Sequence, residues 1–274
     1  MANCKIVVLV LAGNTKVSNS NLKTQRKTWF LKENNNIVIY TYRGGESFSN
    51  INKNLIFEVS DDYKDISEKT YLAFKYIEEN IEFDYLFRTN TSSYVDLNAL
   101  YEFCSKNTVS KLYRGRKLTD KFDDKTISWV SGAEILLSKN AVSTLVKHPH
   151  NWSFDLPDDV AIGDVLSSEG YEIKDSKSIL FSPKFFNLKN FTHEYHFRCR
   201  VDSPYYYPRT LDRLLISYVH YGVNKKYIKY SVRILMKFIF TVSKLFSFKK
   251  HKEYLNHYFW IFLKKILRKI NFYS

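Results

Sequence analysis

The sequence predicts an α/β fold, in which a mostly parallel central sheet is flanked by helices and followed by a basic helical C-terminal extension. Two observations carry the first part. Short apolar runs alternate with helix-like segments over residues 5–168, and the runs stop at polar or glycine-containing turns. The third observation is charge. The chain of 274 residues has a net charge of +14, but residues 223–274 hold 13 Lys and Arg against one acid, Glu253. Residues 1–222 hold 29 against 27, so a nearly neutral body precedes a strongly basic tail.

The elements follow in order. Lys5–Ala12 is a continuous apolar run ending in Gly13-Asn14, as expected of a buried strand entering a loop. It is too short for a membrane span, and no small-residue cleavage site follows where a secretion signal would place one. Thr24–Leu31 reads as a short helix, and Asn36–Tyr42 as a second strand, stopped by Gly44-Gly45. Leu55–Val59 is a third strand. Ser67–Asn80 is a helix, with Ser67 its expected N-cap and Tyr71, Phe74 and Ile77 on one face. Asp84–Arg88 is the next strand and Leu97–Ser105 the next helix. Ser128–Leu137 reads as one strand containing Ser131-Gly132, with a helix from Ser138 and another within Asp155–Ser168. Ligands of such sheets bind beyond the C-terminal strand ends, at a topological switch point, which directs attention to residues 13–16, 43–46 and 88–93.

At 45% apolar and 17% aromatic residues the chain can bury a full core. Three widely spaced cysteines, Cys4, Cys104 and Cys199, form neither a disulfide framework nor a zinc pattern and fit a reducing compartment. The sequons at Asn151 and Asn190 read as chance. With no anchor-like N-terminal segment, the expected setting is the cytoplasm, of a bacterial or viral protein.

Five segments in order resemble the Fringe and β1,3-galactosyltransferase family of inverting GT-A glycosyltransferases. Arg26-Lys-Thr-Trp29 is similar to its Arg-x-Thr-Trp element, with Leu22 where the longer form has an Arg. Asp62–Thr70 is similar to Asp-x-Tyr-x-Asn-Leu-Thr-x-Lys-Thr. Arg88–Val95 sits where the family writes Lys-x-Asp-Asp-Asp-x-Phe-Val. Trp129–Gly132 resembles its Ser-Gly element, and Leu156–Gly163 its Pro-Asp-Asp-Val motif. The resemblance spans residues 5–190, not the tail, and implies a GT-A domain over residues 1–205 with an extension over 206–274.

The resemblance implies a hexosyl-transferring enzyme of polysaccharide biosynthesis. It would move sugar from a nucleotide-sugar donor, expected to be UDP-linked, to a glycan hydroxyl. Asp159 would be the base that takes the hydroxyl proton, with Asp158 and Trp129 in supporting or acceptor-side places. Asp158 is expected to crowd Asp159 and raise its pKa. The same acids would also suit any helix N-terminus. Trp29 and Trp129 read as core aromatics before sugar platforms. Arg26, Arg88, Asn90, Ser92, Arg116 and Gly132 would line the donor site.

The departure lies in the turn, where Asn90, Thr91 and Ser92 replace the family's metal-binding acids. Hard divalent cations want carboxylate oxygens, and this turn offers one amide oxygen and hydroxyls. No cofactor is therefore expected, with Mn²⁺ or Mg²⁺ a disfavoured option. Three readings stay open: cationic side chains (Arg88, Arg114, Arg116, Lys117, with His193 and His196 behind them) stabilise the diphosphate; Asp84 or Asp96 builds a displaced metal site; or catalysis is lost and a nucleotide-sugar- or glycan-binding protein remains. In the tail, Lys229, Arg233, Lys237 and Lys244 share a helix face, and Phe259, Phe262, Leu263, Ile266 and Ile270 oppose Lys264, Lys265, Arg268 and Lys269. Lys237 interrupts the longest apolar run, so the tail reads as basic amphipathic helices on an anionic membrane surface, beside a lipid-linked acceptor. No nucleic-acid recognition motif accompanies the charge.

Overall fold

The computed structural model describes residues 4–107, 109–122, 125–176, 179–180, 195–200, 209–225, 234 and 236–238. In chain order its elements are β1 (Ile6–Leu11), α1 (Lys16–Arg26), β2 (Ile37–Gly45), β3 (Ser49–Ile51), β4 (Asn54–Glu58), α2 (Ile66–Asn80), β5 (Tyr85–Asn90), β6 (Ser93–Val95) and α3 (Leu97–Lys106). There follow β7 (Tyr113–Gly115), β8 (Lys117–Phe122), β9 (Lys125–Val130), β10 (Ile135–Ser138), α4 (Lys139–Lys147), α5 (Asp158–Ser168), β11 (Ile173–Asp175), β12 (Ile179–Leu180), β13 (His196–Arg198) and α6 (Asp212–Lys225).

The fold is α/β. Eight strands form one mixed sheet in the order β11-β7-β10-β5-β1-β2-β4-β3. Its centre, β5-β1-β2-β4, is parallel, and antiparallel pairs enter at β10 and β3. β1 explains why the sheet is buried on both faces. Ile6, Val8 and Val10 point into one core with Leu97 and Leu100 of α3 and Leu214 and Leu215 of α6. Val7 and Leu9 point into the other with Phe74 of α2, Val142 of α4 and Ile162 of α5. Each such buried aliphatic side chain contributes roughly 1.5–3 kcal/mol relative to exposure. From β1 the chain moves outward through β2 and β4, then returns to place β5 on the other side of β1. The switch point therefore lies between the ends of β1 and β5, at Ala12–Gly13 and Asn90–Ser92.

Several expectations change. The first helix is Lys16–Arg26, not Thr24–Leu31: Thr15 caps it, its Oγ1 accepting from Ser18 N–H at 3.1 Å. Its buried face is polar (Asn21, Thr24, Gln25), so apolar periodicity does not reveal it. Trp29–Lys32 is a short 3₁₀ turn. Ser67 does not cap α2. Its hydroxyl accepts from Trp152 Nε1 at 2.8 Å, and the helix starts after Asp65 without a side-chain cap. The expected strand Ser128–Leu137 is two strands. β9 pairs with β8 in a separate ribbon, the chain turns at Ser131–Glu134, and β10 joins the main sheet. Ser138 caps α4, accepting from Ala141 N–H.

The expected boundary near 205 falls outside the described residues. Beyond it, α6 packs on α1, with Asn21 Nδ2 donating to Asp212 Oδ2 at 3.4 Å, and Leu211, Leu214, Leu215 and Val219 belong to the same core as β1. The packed body thus includes residues 211–219. The expected basic helices of the tail lie outside the described residues, save 223–225, 234 and 236–238. Among the described residues no helix is long and apolar enough to cross a membrane.

Candidate active site at the switch point

Four elements converge on the acid pair Asp158-Asp159. α5 brings both in its first turn, where the helix dipole favours negative charge. Val160 and Ile162 anchor that turn in the core. Gly163 lets α5 approach β9 closely, since a Cβ there would lie 2.5 Å from Trp129 Cβ and 2.8 Å from Ser128 O. The Ser131–Glu134 turn delivers Gly132, and β5 delivers Arg88 from below.

The two carboxylates have different surroundings. Asp158 is 3% exposed and ion-paired with Arg88, itself 2% exposed. Thr70 Oγ1 donates to the same Asp158 oxygen at 2.9 Å, Tyr42 and Thr70 hydroxyls are 2.9 Å apart, and Arg88 Nε donates to Tyr42 Oη at 3.2 Å. Because Thr70 gives its proton to Asp158, the Tyr42 hydroxyl donates to Thr70, and Arg88, Tyr42, Thr70 and Asp158 close a ring. Burial would lower the Arg88 pKa, but the Asp158 charge and the Tyr42 hydroxyl raise it further, so the guanidinium stays charged. Burial pushes the Asp158 carboxyl up against the opposing pull of Arg88.

Asp159 is half-buried and outside that ring. Gly132 N–H donates to its Oδ2 at 2.8 Å and Val160 N–H to its Oδ1 at 3.1 Å. A Cβ on Gly132 would lie 2.6 Å from Arg88 Nη1 and 3.1 Å from Asp159 Oδ2, so the approach requires glycine. Tyr63, 74% exposed, lies within electrostatic reach of the pair. Its phenol is pushed up by burial and then by the Asp159 and Asp158 charges. Tyr63 was not singled out from sequence, although it is the Tyr of the Asp62–Thr70 segment.

The turn after β5 folds onto itself. Asn90 Oδ1 accepts from Ser92 N–H and Ser92 Oγ, both at 3.1 Å, from Ser93 Oγ at 3.3 Å and from Arg198 Nη1. Ser93 Oγ and His196 Nε2 share a hydrogen bond of 3.1 Å, and His196 Nδ1 faces Glu134 Oε2 at 3.3 Å; all three side chains are buried. Glu134 Oε1 accepts from the Arg116 backbone N–H at 3.2 Å, while the Arg116 side chain is exposed. Gln25, rather than the exposed Arg26, faces the turn from α1, its Nε2 donating to Asn90 O at 3.0 Å and Ser93 O at 2.8 Å. On the β1 side, Ser18 Oγ lies 3.3 Å from Thr91 Oγ1 and accepts from Gly13 N–H at 2.9 Å. Asp61 ties the ends of β1 and β2 together, accepting from Asn14 N–H, Gly44 N–H and the buried Lys69.

The structure therefore brings together Arg88, Gly132, Asp158 and Asp159, and separately Asn90, Ser92 and Ser93 with His196 and Arg198. Arg88 commits its guanidinium to Tyr42 and Asp158 inside the core. Trp29 is fully buried, and Trp129 is half-buried with its Cβ beside Gly163. Arg114 lies over the Phe103 ring, 4.7 Å from its centroid. Asp84 accepts from Lys5 N–H at the opposite end of β5, and Asp96 caps α3. Neither carboxylate is directed at the turn, and the described residues contain no group of three His, Cys, Asp or Glu able to hold a metal ion. His193 lies outside the described residues. Gln25 and Arg198 were missed from sequence, because their partners are far away along the chain. No protein-family model matches the chain, and no curated protein matches it.

Proposed function

We propose that the chain is an inverting glycosyltransferase, moving a sugar from a UDP-linked donor to a glycan hydroxyl, with Asp159 as general base. One observation carries this reading. Of two adjacent carboxylates at the switch point, Asp158 is locked into a buried ion pair and Asp159, half-buried, is held by two backbone N–H groups. Those N–H groups fix the orientation of Asp159 while leaving lone pairs to accept a proton. The acceptor oxygen gives its proton to Asp159 as it attacks the anomeric carbon. The bond from that carbon to the diphosphate oxygen breaks on the opposite face, and configuration inverts. Arg88 and Gly132 act as positioning residues: one neutralises Asp158, the other orients Asp159.

Asp159→Asn keeps the size of the acid and one of its two accepting contacts, and removes its basicity. The expected result is loss of transfer, by about a hundredfold or more, with nucleotide binding retained, measured with a panel of nucleotide sugars and glycan acceptors. Transfer at the wild-type rate in this variant excludes Asp159 as the base.

A second reading has its own observation. The Asn90 oxygen is taken up by internal donors, which removes the carboxylate-type diphosphate anchor and favours a protein that binds a nucleotide sugar or glycan without turning it over. Absence of both transfer and donor hydrolysis across the same panel, with binding intact, selects it.

A further inference from the structure

We propose that Arg198, with Arg200 beside it, forms an anion site that takes a diphosphate directly, without a divalent cation. The identification of that diphosphate as the donor's leaving group rests on the transferase reading; the anion site does not.

Arg198 ends β13, opposite Ser93 in the antiparallel register with β6, so its side chain reaches the switch point. Its Nη1 donates to Asn90 Oδ1. An amide oxygen has two lone pairs, and this one already receives Ser92 N–H, the Ser92 and Ser93 hydroxyls and a guanidinium. No acceptor capacity remains for a metal ion, and a positive charge occupies the approach. Arg198 has no ion pair among the described residues. Its charged neighbours are mixed, with Arg200 and Arg209 on one side of the balance and Asp212 on the other. Burial first, then the Arg200 and Arg209 charges, push its guanidinium down to about 10, with Asp212 opposing. Asp212 is itself engaged by Arg209 Nε at 2.7 Å.

A half-buried guanidinium with no carboxylate partner among the described residues is an unfavourable arrangement until an anion arrives. The planar guanidinium fork matches two phosphate oxygens at once. The mount is stiff, because Glu134, His196 and Ser93 form a buried hydrogen-bonded chain ending on Asn90, the group that holds Arg198. The site is also within electrostatic reach of the acid pair, since Arg200 and Asp159 both act on the Tyr63 phenol. Arg88 and Asn90, two residues apart at the end of β5, hold Asp158 and Arg198 respectively, so an anion on Arg198 would sit at the same sheet end as the acid pair, as displacement of a diphosphate by a hydroxyl requires.

The test is calorimetric titration of the full-length chain with inorganic pyrophosphate in EDTA. Binding is expected, weakened about tenfold or more in Arg198→Gln and in Arg200→Gln. Thermal unfolding checks each variant, and the exposed Arg200→Gln carries the test if Arg198→Gln does not fold. No binding in EDTA, binding that appears only with Mg²⁺ or Mn²⁺, or wild-type binding by the folded variants overturns the site. Pyrophosphate binding that the variants lose, in a protein that transfers no sugar, supports the anion site and removes the transferase reading.

Discussion

Asp158 and Asp159 are neighbours of the same type, yet their environments assign them opposite uses. Asp158 is enclosed with Arg88, Tyr42 and Thr70, so its charge is a structural element. Removing one partner of a buried ion pair leaves the other uncompensated and costs about 3–5 kcal/mol. Asp158→Asn and Arg88→Met are therefore both expected to lower unfolding stability by about that amount, read by urea denaturation. Asp159→Asn is expected to stay within about 1 kcal/mol of wild type. Equal destabilisation by Asp158→Asn and Asp159→Asn would contradict the division. The pair itself is legible in the sequence, as two acids after a proline at a helix start. Which acid is engaged is not, because the deciding partners, Thr70 and Arg88, lie 88 and 70 residues away along the chain. The same limit hid Arg198, 108 residues from Asn90.

Helix α5 carries the acids, and its seat on β9 fixes where they point. Gly163 is the contact that allows this seat. Gly163→Ala would force α5 and Trp129 apart, since the new Cβ meets backbone as well as side chain. Overpacking of this kind costs about 1–3 kcal/mol, and the shift would move Asp159 relative to Gly132. The expected outcome is a folded protein with a lower Tm and reduced transfer; unchanged values in both would show that the seat is loose. Elements with apolar periodicity, such as β1, β2, β5 and α2, were readable from sequence. Helix α1 was misplaced because its buried face is Asn21, Thr24 and Gln25. The break between β9 and β10 was invisible because both flanks are apolar and only tertiary pairing separates them. Helix α6 supplies a pH test. Its His220 Nδ1 lies 3.2 Å from Tyr94 Oη, and burial, then the Lys32 charge, push the imidazole down to about 4. The unfolded chain takes the proton first, near pH ~6.5. Stability is therefore complete above about pH 6.5 and falls as pH drops toward about 4. His220→Gln should flatten that part of the urea-derived stability profile; an identical slope in the variant would assign the acid sensitivity elsewhere.

For the whole molecule, the decisive property is the separation of a nearly neutral body from a tail of 13 basic residues and one acid. The body extends past residue 205, since Leu211–Val219 complete the β1 core, a continuity that no change of composition announces. The charge asymmetry, in contrast, is fully legible in the sequence, and it defines a proposal for residues 223–274. Each Lys or Arg brought to an anionic bilayer contributes about 1 kcal/mol, within a Debye length of the surface. Four engaged residues would supply about 4 kcal/mol, close to a thousandfold in partitioning. The Phe and Ile residues of the last segment would add apolar burial at the headgroup boundary. Full-length protein is therefore expected to sediment with vesicles containing anionic phospholipid at low salt. Release is expected at about 1 M salt, where the Debye length shrinks to about 3 Å, and uncharged vesicles should retain much less. A deletion of residues 226–274 should stay in the supernatant. That deletion removes twelve of the tail's thirteen basic residues, Lys226 among them, together with the buried Met236, while leaving α6 through Lys225 in place, so loss of sedimentation by a deletion that still unfolds cooperatively would locate the attachment in the tail. Failure of the intact chain to sediment with anionic vesicles at low salt would refute surface attachment and leave the basic residues as a solvated face.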